Sequence, residues 1–258
     1  MRYFIAFIMV IVWCTGLQAE VLTKTVQYRD GNTVLEGFLA YDNSTQGKRP
    51  GVLVVHEWWG LNTFTMKRAE EIARLGYVAF AVDIYGAGIT TNDPQVATKL
   101  SGTYRNDRKL MRERAMAGLQ VLINNPLVES DKIAAIGYCF GGTTVLELAR
   151  GHAPIVGVVS FHGGLDTPAP ADTKDVKAKV LVQHGADDPF VSKEQINTFM
   201  DEMRKSSADW QMIFYGGAVH SFTNPEADKF AIKGIAYNDK ADKRSWSAMR
   251  QFLNELFK

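Results

Sequence analysis

Gly137-Tyr138-Cys139-Phe140-Gly141-Gly142 follows the apolar run Lys132-Ile133-Ala134-Ala135-Ile136 and precedes Thr143-Thr144-Val145-Leu146-Glu147-Leu148-Ala149. An apolar run, a glycine-flanked residue and a helix-compatible segment make the strand, turn and helix of a nucleophile elbow, which lifts one reactive side chain above a sheet. Glycine suits positions 137 and 141 because so tight a turn leaves no room for Cβ atoms beside the nucleophile or against the following helix. The group presented is the thiol of Cys139. The competing explanation is a buried core cysteine beside a glycine turn kept for packing, since free cysteine is among the most buried residue types.

Later segments supply the partners such a thiol needs. Val180 to His184 is apolar and runs into Gly185-Ala186-Asp187-Asp188-Pro189, while Phe214-Tyr215-Gly216-Gly217-Ala218-Val219-His220 places a histidine after the final strand. Taken singly, an aspartate beside proline is a turn former and a loop histidine is solvated. Their order (nucleophile, acid, histidine), at the ends of three different strands, predicts that they meet in the crevice beyond the carboxyl ends of a parallel sheet. Asp187 and Asp188 both satisfy that order.

The rest of the chain supports such a sheet. Val21 to Tyr28 and Thr33 to Tyr41, around Asp30-Gly31-Asn32, predict an antiparallel hairpin of edge strands. Gly51 to His56, Tyr77 to Val82, Ile155 to Phe161 and Trp210 to Tyr215 are runs suited to buried strands. Helical periodicity marks Thr65 to Leu75, a short stretch near Pro94 to Leu100, Asn106 to Asn124, Thr143 to Arg150, Ser192 to Lys205 and Asp242 to Leu256. Ser192 with Gln195 three residues on has the pattern of a capping box. Strands alternating with helices predict an α/β fold: a mostly parallel central sheet, helices on both faces and an antiparallel N-terminal hairpin.

The chain has 258 residues, 46% of them hydrophobic, and carries 29 basic against 28 acidic residues for a net charge of +1. That balance, with no long like-charge block, points away from nucleic acid and toward a small-molecule ligand. Arg2, the apolar run from Tyr3 to Cys14, and Leu17-Gln18-Ala19 have the layout of a signal peptide over residues 1–19, cleaved after Ala19. Residues 20–258 are then one domain, exported to the periplasm or secreted, with no lasting membrane anchor, although an uncleaved anchor is the alternative. Loss of Cys14 with the leader leaves Cys139 as the sole cysteine. Five histidines without a His-Glu-x-x-His or Cys-x-x-Cys pattern give no expectation of a metal, and no cofactor is expected.

Four stretches together resemble the dienelactone hydrolase family of the α/β-hydrolase superfamily, from about residue 30 to the C-terminus. They are His56-Glu57-Trp58-Trp59-Gly60-Leu61-Asn62, the turn around Cys139, Asp188-Pro189-Phe190-Val191, and His220-Ser221-Phe222-Thr223-Asn224-Pro225. The resemblance implies the α/β-hydrolase fold, selects Asp188 over Asp187, and aligns Glu57 with a glutamate that helps turn the thiol into thiolate when substrate binds. The mechanism then expected is attack of Cys139 on an ester or lactone carbonyl through a thioester, with His220 as base and Asp188 orienting it. Backbone N–H groups of Phe140 and Trp58 hold the oxyanion. Alternatives on the same fold are a non-catalytic small-molecule-binding protein or a thiol redox sensor.

Two departures bear on substrate. Family members acting on dienelactone carry arginines that hold its carboxylate, but the matching positions here read Gly86-Ala87-Gly88 and Asn224, leaving Arg105 or Arg108 to compensate. Histidines 56, 162 and 184 read as structural, and Trp59, Tyr85 and Tyr138 as either a pocket wall or core packing.

Overall fold

The computed structural model describes residues 20–258; the leader read from residues 1–19 lies outside them. β1 (Val21–Asp30) and β2 (Thr33–Asp42) form the hairpin through a two-residue turn at Gly31-Asn32, where Gly31 has φ +54°. β3 (Arg49–Val55), β4 (Val78–Val82), β5 (Val128–Tyr138), β6 (Gly157–Phe161), β7 (Lys179–Gly185) and β8 (Trp210–Tyr215) complete one eight-stranded sheet in the order β1-β2-β4-β3-β5-β6-β7-β8. Pairings from β4 through β8 are parallel. Only β1 of the hairpin is an edge strand. β2, expected at an edge, pairs antiparallel with β4 through Phe38–Ala40 against Ala79–Ala81, consistent with the buried, apolar second half of β2.

Strand periodicity divides the core. Val52, Val54, Ala79 and Ala81 face the layer of α1 (Thr63–Arg74) and α6 (Asp239–Leu256), packing with Phe64, Ile72, Met249 and Leu253. Leu53, Val55, Phe80 and Val82 face the opposite layer, where α3 (Arg108–Ile123), α4 (Phe140–Arg150) and α5 (Lys193–Lys205) contribute Met111, Leu119, Val145 and Phe199. Alternate residues of a strand point to opposite faces, so continuous apolar runs are what a sheet covered on both sides requires. α2 (Pro94–Asn106) is longer than its sequence suggested, and Asp107 ends it while its side chain caps α3 through Leu110 N–H at 2.9 Å. Half of the capping box forms at α5: Ser192 Oγ accepts from Gln195 N–H at 3.1 Å.

Buried charges tie the helices of one layer together. Glu147 on α4 pairs with Arg112 on α3 at 2.8 Å, and Arg150 on α4 pairs with Glu147 at 3.2 Å and with Glu202 on α5 at 2.8 Å. Removing one member would strand a buried charge, so the set specifies how α3, α4 and α5 dock. Among the described residues no helix is long and apolar enough to cross a membrane.

Glycines show where the backbone has no slack. A Cβ on Gly137 would lie 2.0 Å from the carbonyl oxygen of Gly141, whereas one on Gly102, inside α2, would meet nothing within 4 Å. Gly137→Ala is therefore expected to destabilise the fold by about 3 kcal/mol or more, and Gly102→Ala to stabilise it by about 0.5–1 kcal/mol. Urea unfolding of the two variants beside wild type checks both signs.

Candidate active site

Cys139 joins β5 to α4 with φ +54°, a left-handed conformation that a non-glycine residue adopts only where its surroundings enforce it. The enforcement is close packing of main chain: β3 runs so near the turn that a Cβ on Gly141 would lie 2.3 Å from the Val55 carbonyl oxygen. Cys139, 4% exposed, lines a cavity of about 190 Å³ together with Trp58, Arg105, Gly164, Phe190 and His220. The competing idea of a cysteine sealed in the core therefore does not describe this thiol.

His220 stands in the loop after β8 with its Nε2 3.0 Å from Cys139 Sγ. Its Nδ1–H donates to Asp188 Oδ2 at 2.8 Å, and Asp188 Oδ1 accepts from the Phe190 N–H at 2.9 Å, so both carboxylate oxygens are engaged. Burial works against a charged ring here, but the Cys139 thiolate alongside it and the hydrogen bonds to Asp188 and the sulfur outweigh it and push the His220 imidazole up to about 10. The site favours the imidazolium form of His220. Asp187, the other candidate, is exposed and accepts instead from the Gly217 N–H at 3.0 Å.

Glu57 is 1% exposed. Its Oε1 accepts from Ser221 Oγ at 2.8 Å and its Oε2 from Asn224 Nδ2 at 2.6 Å, both on the loop that carries His220. Burial pushes its carboxyl up, and the two hydrogen bonds only partly counter this. Asn224, at a position where the resemblance would have an arginine, is thereby committed to Glu57. Trp58 follows β3, its carbonyl accepting from the Tyr85 hydroxyl at 3.1 Å. Among the described residues neither the Trp58 nor the Phe140 N–H has an intramolecular acceptor.

The remaining residues singled out in the sequence sort clearly. Trp59 stacks on Phe230 with ring centroids 4.1 Å apart, Tyr138 stacks on Phe161 at 4.7 Å, and Tyr85 packs beside Tyr104, so these aromatics pack while Trp58 and Phe190 wall the cavity. Arg108 is paired with Asp166 at 2.7 Å, whereas Arg105 lines the cavity. His56 is satisfied between the Glu57 carbonyl and the Ile84 N–H. His162 is also hydrogen-bonded, but to Cys139's own amide and to Thr223, a contact that sequence spacing did not signal.

A family model for dienelactone hydrolases matches residues 35–257. The chain belongs to the dienelactone hydrolase family. It is similar to a dienelactone hydrolase-like promiscuous phosphotriesterase from metagenomic libraries, at 42% identity over 93% of this chain and 100% of that one, with a TM-score of 0.89. It is 26% identical over 215 residues to a Bradyrhizobium protein described as a probable 2-oxo-3-(5-oxofuran-2-ylidene)propanoate lactonase, covering 78% of this chain and 82% of the relative. An uncharacterized Caenorhabditis elegans protein is 40% identical over 151 residues, 57% of this chain and 94% of its own length. As a dienelactone hydrolase family member with a cysteine–histidine centre, the protein is an ester or lactone hydrolase.

The surroundings of Glu57 give a test with a definite sign. Its folded pKa is raised above the unfolded value, so the ionised carboxyl costs stability near neutrality, and that cost disappears as pH falls through the folded pKa. Asn224→Ala removes one donor from the buried carboxylate and is expected to destabilise the protein by about 1–3 kcal/mol at pH 7.5. The gap to wild type should narrow at pH 5; urea midpoints at the two pH values decide it.

Proposed function

We propose that Cys139, His220 and Asp188 are the catalytic triad of this hydrolase, and that its substrate is a small ester or lactone other than the carboxylated dienelactone. The observation that carries the assignment is the unbroken chain from Sγ through the His220 ring to Asp188, at 3.0 and 2.8 Å, beside an open cavity. In the proposed reaction the thiolate attacks the carbonyl carbon and the carbonyl oxygen becomes an oxyanion facing the Phe140 and Trp58 N–H groups. His220 gives its Nε2 proton to the departing alkoxide as the carbon–oxygen bond breaks, leaving a thioester. Water then attacks the thioester while His220 takes its proton, releasing the acid and the thiolate–imidazolium pair. Glu57, bonded to the His220 loop, sets the field at that pair without touching the sulfur.

The restriction on substrate rests on the side chains around the cavity. Trp58, Phe190, Val191, Ile232 and Ile235 make its wall largely apolar. Gly86 and Asn224 replace the expected arginines, and the arginine that does line the cavity, Arg105, stands on α2 instead, so a carboxylate held as dienelactone's is held would not find its cationic partner in the same place. The metagenomic relative makes aryl phosphotriesters a second class to assay beside esters, because a thiolate can attack phosphorus in the same geometry. Residues 1–19 are proposed to direct export and to be removed, so that the mature chain starts at Glu20; its intact mass reads this directly.

A panel of 4-nitrophenyl esters and simple lactones tests the triad. Cys139→Ala is expected to abolish turnover and His220→Ala to lower kcat by at least about 10³. Asp188→Asn should follow with a loss of about 10² or more, since it leaves the ring without its acceptor. A Cys139→Ala variant that hydrolyses the panel as wild type does would refute the assignment.

A further inference from the structure

We propose that His162 is a positioning residue, a brace whose ring joins the turn carrying Cys139 to the loop carrying His220 and so sets the distance between sulfur and imidazole. This rests on the triad assigned above. His162 is the first residue past β6, fully buried, with φ +40°, and that backbone turn places its ring under the nucleophile. The Cys139 N–H is shared between the Phe161 carbonyl at 3.0 Å and the His162 Nδ1 at 3.1 Å, so Nδ1 accepts and the ring's hydrogen sits on Nε2. Nε2–H donates to Thr223 Oγ1 at 2.8 Å. His162 is thus neither base nor substrate ligand: its nitrogens are both spent and it does not line the cavity.

What it connects gives the contact its meaning. Cys139 follows β5 and His220 follows β8, with β6 and β7 between them in the sheet, so the two reacting groups have no shared element to hold them in register. Thr223 belongs to the same loop as His220 and is held a second time, its carbonyl accepting from Arg68 Nη2 at 2.7 Å. The His162 ring also meets the His220 ring edge-on at 5.3 Å. A rigid imidazole hydrogen-bonded at both ends leaves one spacing available, and misplacement of reacting atoms by about 1 Å costs about 10²-fold in rate. The brace works only with a neutral ring, because a proton on Nδ1 would face the Cys139 N–H. Burial first, then the neighbouring His220, His184 and Arg68 side chains, hold it neutral, and Tyr138 and Phe222 pack against the ring.

The test uses Thr223→Val, Thr223→Ser, His162→Asn and the His162→Asn/Thr223→Val double variant, with Cys139→Ala as reference. Asn is chosen because it tolerates positive φ and its amide oxygen can still accept from the Cys139 N–H. Thr223→Val, folded at the assay temperature, is expected to lower kcat on a 4-nitrophenyl ester about tenfold with KM within about twofold. It should also change the pH profile of Cys139 alkylation by iodoacetamide relative to wild type, because the His220 ring is no longer held at 3.0 Å from the sulfur. Thr223→Ser restores both readouts. The double variant is expected to be no slower than His162→Asn, since both changes cut one bond. Should His162→Asn not fold, the Thr223 pair decides alone. Wild-type kcat and alkylation profile in Thr223→Val, or losses that multiply in the double variant, would overturn the brace. Turnover of the ester by Cys139→Ala at the wild-type rate would instead overturn the triad on which it rests.

Discussion

The contact on which the rest of the structure depends is between backbones: the turn at Cys139 is folded so tightly on itself at Gly137, and packed so closely against the end of β3 at Gly141, that neither glycine has space for a methyl group. That contact forces φ +54° on Cys139, which aims the sulfur away from the sheet and into the crevice. Forced geometry of this kind persists only when its surroundings over-determine it, and here the buried second half of β5, from Ile133 to Tyr138, and a fully buried α4 provide that. Every other functional group then has a fixed target. His220 and Asp188 come from the ends of β8 and β7, parallel neighbours in the sheet, so their hydrogen bond is a product of strand pairing as well as of side-chain chemistry.

Charge is handled by the same economy of contacts. Asp188 uses one oxygen on His220 and the other on a main-chain N–H, which leaves it no freedom to rotate away. Glu57, more deeply buried, is drawn toward the neutral form by that burial, which its bonds to Ser221 and Asn224 and the charges of His220 and Arg68 offset only in part.

How much of this was legible in the sequence follows from how local each feature is. The turn around Cys139 and the carboxylate and histidine at later strand ends announced themselves because each is written in consecutive residues. The parallel sheet that unites them follows from alternating strands and helices. The place of β2 inside the sheet did not, because its pairing with β4 joins segments about 40 residues apart and its own alternation reads the same at an edge or within. The length of α2 was hidden by Gly102 and by polar residues that suit a loop equally well. Choosing Asp188 over Asp187 needed either family resemblance or coordinates, since both follow β7. The hydrogen bonds of His162 lay beyond reach altogether, its partners being 23 and 61 residues away with no spacing rule to relate them.

Arg68 carries a consequence for how the chain becomes active. Its guanidinium holds the Thr223 carbonyl and, at 2.5 Å, Asp242 on α6, while lying over the rings of Phe64, Tyr138 and Trp246. Two of those contacts are made with the last helix of the polypeptide. During synthesis, the nucleophile and its turn leave the ribosome more than a hundred residues before that helix is complete. Until then the loop that carries His220 and Thr223 lacks its tie through Arg68 to that helix, so the last stretch of chain to be made is the one that completes the setting of the site.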